Sequence, residues 1–221
     1  MPGERLAGPA DTESELPDDA PRVGVLALQG DVVEHLHALR EAGARPTRVR
    51  RPRDLEGLEG IVIPGGESTT IGRLLEVSGL LEPLRELITS GTPAFGTCAG
   101  LILLSRDLSQ AHPQPLLGGL DLTTRRNAFG RQIDSFEADL EVDGLEGGPV
   151  RAVFIRAPWI DRVGEDVEVL AEVEGRPVLV AQGDVLAAAF HPELTRDRRL
   201  HELFVARVRA WRTPRASDAP S

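Results

Sequence analysis

Pro93-Ala94-Phe95-Gly96-Thr97-Cys98-Ala99-Gly100-Leu101-Ile102-Leu103-Leu104 decides how this chain is read. Pro93 to Gly96 reads as a short buried strand and Ala99 through Leu104 as the start of a helix, so the spacing predicts Cys98 at a sharp strand-to-helix turn. Cys98 is the only cysteine among 221 residues. In an intracellular chain a lone cysteine is most often a small buried hydrophobe. Here the glycines on both sides allow strained backbone and close substrate approach, and the following helix presents its positive end to a thiolate.

Strand and helix patterns alternate through the first half of the chain, the mark of βαβ units and a largely parallel sheet. Val23 to Leu28 is a continuous apolar run fit for a central strand. Val32 to Ala42 follows as an amphipathic helix, with Val33, Leu36 and Leu39 spaced for one face and Gly43 as its stop. Thr47 to Arg50 is a weaker strand, and Gly60-Ile61-Val62-Ile63-Pro64 is a strong one closed by Gly65-Gly66. Ser68 is placed to cap a helix presenting Ile71, Leu74 and Leu75, and a second helical run carries Leu84, Leu87 and Ile88. After Leu104 the texture changes. Ser135 to Val142, Val150 to Ile155, Val167 to Val173, Pro177 to Gln182 and Val185 to Phe190 are strand-like with short turns, predicting antiparallel additions to the sheet. A helix from about Arg198 to Arg212 closes the chain. The expected fold is an α/β three-layer sandwich with a mostly parallel central sheet and antiparallel additions, as one domain over 21–212.

Composition narrows the function classes. Hydrophobic residues make up 41%, enough for one substantial core. A formal net charge of -10 argues against nucleic-acid binding, which draws on clustered Lys and Arg. Half of that charge sits in Met1 to Ala20, where six acids face Arg5 alone. That proline-containing segment, and Thr213 to Ser221, are expected to be disordered tails. No apolar run of 18 residues and no leader pattern is seen, and one cysteine excludes an internal disulfide, so a cytoplasmic protein is expected, without membrane association.

A cysteine nucleophile needs a base, and the base needs a third group to fix its tautomer. His191-Pro192-Glu193 meets that need. It directly follows the apolar strand, and in extended chain residues two apart point to the same side, so the Glu193 carboxylate can reach the second ring nitrogen of His191. Pro192 stiffens the pair. Acyl transfer further needs donors aimed at a developing oxyanion. The amides of Ala99 and Gly66 are the candidates. Gly65-Gly66 lacks the pattern of a phosphate loop, which discounts nucleotide binding. His35, His37, His112 and His201 read as structural, and no zinc spacing is visible, so neither metal nor cofactor is expected.

The order cysteine, histidine, glutamate resembles the class I glutamine amidotransferases, whose flavodoxin-like fold is the one expected here. An α/β-hydrolase would place its acid before the histidine. Further stretches make the chain similar to the glutaminase subunits of pyridoxal 5'-phosphate synthases: Leu28-Gln29-Gly30-Asp31, Pro64 to Thr70, Arg126-Asn127-Ala128-Phe129-Gly130-Arg131-Gln132, Phe154-Ile155-Arg156-Ala157-Pro158 and Phe190 to Thr195. The resemblance spans about Val23 to Phe204. It implies L-glutamine as substrate, bound by Gly66, Glu67, Ser68, Arg126, Ile155 and Arg156, with Cys98, His191 and Glu193 as catalytic residues. It also implies a partner, a (β/α)8-barrel synthase subunit that uses the ammonia, with little activity in the isolated glutaminase. Another amidotransferase, a cysteine hydrolase or redox-type chaperone, and a catalytically silent binding subunit are the competing readings.

Overall fold

The computed structural model describes residues 16–109, 113–126 and 135–212. Its first strand, β1 (Arg22–Leu26), feeds helix α1 (Val32–Glu41) and strand β2 (Arg45–Val49). Then come β3 (Gly60–Ile63), α2 (Ser68–Val77), α3 (Leu81–Thr89), β4 (Ala94–Thr97) and α4 (Ala99–Leu104). The second half is strand-rich: β5 (Ser105–Leu108), β6 (Leu120–Arg125), β7 (Ser135–Leu140), β8 (Val150–Ile155), β9 (Trp159–Val163), β10 (Glu168–Val173), β11 (Arg176–Gln182) and β12 (Val185–Ala188). Helix α5 (Arg199–Arg212) ends the described chain.

The main sheet has seven strands in the order β10-β11-β12-β4-β3-β1-β2. The five from β12 to β2 are parallel, and β11 and β10 extend the β12 edge antiparallel to their neighbours. The expected mixed α/β sheet is therefore present, but not every later strand joins it. Two further ladders stand apart: β7 with β8, and β5-β6-β9. The parallel core strands are buried on both faces, with Ile61, Val62, Ile63, Leu186, Ala187 and Ala188 fully enclosed, which is why they read as unbroken apolar runs.

Helix placement follows the two sides of β4. Phe95 points to the side of α1 and α5, where its ring meets His35, His201 and Phe204. Gly96 points the other way, toward α4. A Cβ on Gly96 would lie 2.6 Å from the Gly100 carbonyl carbon, and one on Gly100 would run into the Ile63 carbonyl oxygen. Close approach of α4 to β3 and β4 thus requires both glycines. Neither has positive φ; the strained conformation belongs to Cys98 itself, at φ 48° and ψ -102°. The flanking glycines serve packing rather than dihedral freedom.

Two local expectations change. The buried stripe of α1 is His35, Ala38 and Leu39, continued by Ala42, while Val33 is 49% exposed. The stripe keeps helical spacing but is centred on a histidine instead of Val33. Helix α2 is capped by Glu67, whose carboxylate accepts from the Thr69 and Thr70 amides, with Ser68 as the first helical residue.

Of the acidic segment, residues 1–15 lie outside the described residues, as do 213–221 at the other end. Leu16 to Ala20 form a turn in which Ala20 is buried and the Asp19 carbonyl accepts from Arg212.

Because Gly100 meets backbone rather than a movable side chain, Gly100→Ala is expected to lower the unfolding free energy by about 2 kcal/mol or more, as overpacking of a close-packed core does. Urea denaturation of the variant beside Cys98→Ala, which removes a sulfur without adding volume at the contact, checks this.

Candidate active site

Parallel strands bring their carboxyl ends to one edge, and loops there form the ligand crevice of an open α/β sheet. Four such ends converge here. The loop after β1 supplies Gln29 and Asp31, that after β3 supplies Gly65 to Ser68, the turn after β4 supplies Cys98, and the chain after β12 supplies His191 and Glu193. The loops are pressed together. Asp31 N–H donates to the Gly65 carbonyl at 3.3 Å, and Glu67 N–H donates to Gln29 Oε1 at 2.9 Å. A Cβ on Gly65 would stand 2.5 Å from His191 Cε1, so only glycine lets this loop lie against the imidazole.

Cys98 is 7% exposed and is pinned by its own amide, which donates to the Ala188 carbonyl at 2.8 Å. That bond holds the turn in a conformation that costs an L-residue about 1–3 kcal/mol. His191 is also held by backbone, its N–H donating to Val153 at 2.9 Å. Its Nδ1 lies 2.8 Å from Glu193 Oε1 and 3.3 Å from Asp31 Oδ2, which leaves Nε2 for the Cys98 side chain with which the ring is hydrogen-bonded. The two-residue spacing of His191 and Glu193 delivers the predicted contact, although Pro192 to Leu194 form a 3-10 turn instead of extended chain.

Burial alone would lower the His191 pKa. Hydrogen bonds to Asp31, Cys98 and Glu193, with the Glu193 charge, outweigh it and hold the imidazolium up to about 12. Burial raises Glu193, against the hydrogen bond and charge of His191. Asp31, His191 and Glu193 are the one group among the described residues whose donor atoms cluster closely enough for a metal, within 4.8 Å. They satisfy one another through the proton on Nδ1, and a single imidazole nitrogen shared by two carboxylates is a hydrogen-bonded arrangement.

In front of Cys98 is a cavity of about 330 Å3. Gly66, Glu67, Ser68, Arg126, Ile155 and Arg156, the six expected binding residues, all line it with Cys98, Ala99 and His191. Glu193 sits behind the imidazole, away from the cavity. Gln29, Asp31, Ile102 and Leu194 also line it, without having been assigned a role from sequence. Gln114 holds one wall from outside: its Oε1 accepts from Ser68, Thr69 and Arg126, and Arg126 also donates to Thr69 Oγ1. The Glu67 carboxylate is committed to capping α2, and hydrogen bonds from Thr70 and Thr69 outweigh burial to keep its pKa low. Asn127 to Gln132 and His112 lie outside the described residues.

His35 and His201 are part of this region. His35 Nε2 is 3.0 Å from Thr97 Oγ1 and 3.5 Å from Glu193 Oε2, and its Nδ1 is 3.1 Å from His201 Nε2. Thr97 Oγ1 in turn accepts from Gly65 N–H at 3.1 Å. Burial, aided by the charge of neighbouring His201 and His191, holds His35 well below 6.5. Burial and Arg198 hold His201 at about 3.

A cysteine at a strand-to-helix turn, facing a histidine and an acid carried by the chain after the next parallel strand, is an architecture of the glutamine amidotransferase class, and a solved structure agrees. One described as a crystal structure of glutamine amidotransferase superposes with a TM-score of 0.80 at 52% identity, covering 84% of this chain and 98% of its own. The SNO glutamine amidotransferase family matches residues 25–210, and the chain belongs to that family. Among curated relatives, the "Pyridoxal 5'-phosphate synthase subunit PdxT" of Frankia alni is 62% identical over 191 residues, covering 86% of this chain and 96% of the relative. That of a Parafrankia strain is 63% identical over 192 residues, covering 86% and 95%.

Two pH-dependent outcomes follow. Asp31→Asn removes an acceptor of the imidazolium proton, so the His191 pKa is expected to fall, as read by NMR titration of the ring. His35 and His201 titrate below their unfolded value, so the unfolded chain binds more protons as pH drops under 6.5, and stability is lost in that direction by up to about 1.4 kcal/mol per pH unit for each. His201→Phe is expected to flatten the dependence of stability between pH 6 and 4 by about one proton, measured by denaturant unfolding across pH.

Proposed function

We propose that this chain hydrolyses L-glutamine to L-glutamate and ammonia with Cys98 as nucleophile, His191 as acid and base, and Glu193 as the group that orients His191. Membership of the family and the PdxT relatives support the reaction. The observation that carries the residue assignment is the buried sequence of contacts from Glu193 Oε1 through the His191 ring to Cys98 at the mouth of the cavity.

In the proposed reaction the Cys98 thiolate attacks the side-chain amide carbon, its proton resting on His191. As the tetrahedral intermediate collapses, the carbon–nitrogen bond breaks, His191 delivers the proton to the leaving nitrogen, and ammonia departs. Water, deprotonated by His191, then attacks the thioester. The carbon–sulfur bond breaks, glutamate leaves, and the thiolate is restored with His191 protonated. Ala99 N–H and Gly66 N–H are the proposed donors to the oxyanion. Arg126 and Arg156 supply cations for the α-carboxylate, and Ile155 O with the acidic lining offers acceptors for the α-ammonium.

Ammonia released into neutral water is protonated and stops being a nucleophile, so direct transfer to a second active site is the chemically useful fate. We infer that the receiver is the synthase subunit of a pyridoxal 5'-phosphate synthase, a (β/α)8 barrel that combines ammonia with a pentose phosphate and a triose phosphate. No helix among the described residues is long and apolar enough to cross a membrane, and we place the complex in the cytoplasm. With the synthase subunit present, Cys98→Ala is expected to lose glutaminase turnover by at least about 1,000-fold, as nucleophile removal does in triad enzymes. A glutamine-analogue electrophile is expected to label Cys98 in the unsubstituted chain. Full turnover in Cys98→Ala, or label elsewhere, overturns the assignment.

A further inference from the structure

We propose that His35 is a positioning residue for the Cys98 site, its Nε2–H directed at the second carboxylate oxygen of Glu193 and at Thr97 Oγ1, so that α1 braces acid, nucleophile strand and oxyanion loop together. This rests on the reading of Cys98, His191 and Glu193 as the catalytic triad.

The placement is unusual for a residue with only a packing role. Glu193 uses Oε1 on His191; its Oε2 is buried without a hydrogen-bond partner of ordinary length and lies 3.5 Å from His35 Nε2, both side chains being 0% exposed. A buried carboxylate oxygen with no donor is expensive, and an N–H aimed at it relieves that cost. The same His35 nitrogen is 3.0 Å from Thr97 Oγ1, on the residue before the nucleophile, and that hydroxyl accepts the amide of Gly65, next to the proposed oxyanion donor Gly66. One ring atom therefore touches the acid and, through one oxygen, both remaining halves of the site.

The tautomer follows from the surroundings. With the hydrogen on Nε2, His35 faces the carboxylate with a donor, Nδ1 accepts from His201 Nε2–H at 3.1 Å, and the unpartnered His201 Nδ1 is a bare lone pair. With the hydrogen on Nδ1, the His35 Nε2 lone pair accepts from the Thr97 hydroxyl at 3.0 Å but also faces Glu193 Oε2. His201 must then carry its hydrogen on Nδ1, a buried N–H with no acceptor. Orphaned buried N–H groups are the rarer defect, and a lone pair against a carboxylate is repulsive, so the first arrangement wins. His201 thereby fixes the ring of His35 as Glu193 fixes that of His191. The titratable groups facing His35 are Glu193, which favours a proton on the ring, and His201 and His191, whose positive forms oppose one; burial is the largest influence and, with the two histidines, holds His35 below its ordinary value.

Turnover in the complex with the synthase subunit, and ring nitrogen shifts in the free full-length chain, test this. His35→Leu is expected to lower kcat for glutamine hydrolysis about 10-fold or more, the size of effect that partners behind an active-site histidine have, while KM changes less than about 2-fold. His35→Gln, which keeps an amide N–H at the end of the side chain, is expected to recover most of that loss, and His37→Leu, on the exposed side of the same helix, to behave as the unsubstituted protein. The limbs of the kcat/KM pH profile should move in His35→Leu and return in His35→Gln. Nitrogen-15 NMR should show the Nε2–H tautomer of His35. A folded His35→Leu with turnover and pH profile unchanged overturns the proposal. So does equal impairment of His35→Leu and His35→Gln, or the Nδ1–H tautomer. If His35→Leu does not fold, the tautomer and His35→Gln decide. Failure of the triad reading has a different signature: Glu193→Gln would then retain full turnover, whereas failure of this proposal alone leaves Glu193→Gln impaired and His35→Leu active.

Discussion

Everything at the catalytic edge depends on how closely α4 approaches β3 and β4. Gly96 and Gly100 permit that approach, and it brings the amide end of a short, wholly buried helix over the strand ends. The approach leaves one residue to make the turn, and Cys98 takes it with positive φ, secured by its amide on Ala188. Since Ala188 belongs to β12, the bond that holds Cys98 is also the one that sets its distance from the segment carrying His191. Strain and registry are thus fixed by the same backbone contact, in addition to the hydrogen bond between the Cys98 and His191 side chains.

The second constraint is electrostatic. His191 and Glu193 are 4% exposed, and a buried carboxylate near a buried imidazole is tolerable only if the pair is well hydrogen-bonded. The site solves this with more acid than a minimal triad has. Asp31 adds a second carboxylate at Nδ1, partly open to the cavity, and together they hold the ring protonated despite its burial. A protonated His191 beside Cys98 is suited to the start of the proposed reaction, where a proton must be ready for a nitrogen leaving group. Of the two acids at Nδ1, Glu193 is the nearer and buried, while Asp31 is the one that lines the cavity.

Much of this was legible in the chain. Buried parallel strands announce themselves as apolar runs, which is why β1, β3, β4 and β12 could be placed, and with them the ends that carry the chemistry. The later strands were harder. β5 (Ser-Arg-Asp-Leu) and β9 (Trp-Ile-Asp-Arg-Val) spend exposed positions on charges, including Asp161, which pairs with Arg125 of β6, so their apolar signal is too thin to read. β6 does alternate, with Leu120, Leu122 and Thr124 inward, but its buried threonine dilutes the pattern. Which ladder each strand joins is a matter of tertiary pairing that local sequence does not encode. The proposed triad was readable because its parts lie in two short motifs, while Asp31 and Gln29 were visible only as loop residues at the end of a parallel strand.

His35 shows why the remainder escaped. An apolar-only reading of α1 selects Val33, Leu36 and Leu39, yet the helix buries His35, Ala38, Leu39 and Ala42, because a histidine can be as buried as a leucine when both ring nitrogens find partners. Those partners lie 62, 158 and 166 positions away in sequence, so no local pattern could supply them. The same fact makes the residue informative. A helix that only needed to cover the sheet would have been served by an aliphatic side chain at that position, without a polar ring that had to be neutralised and matched on both sides. The satisfied ring therefore records a constraint from the strand ends rather than from the core, and it is carried by the helix that begins directly after the Gln29-Gly30-Asp31 loop.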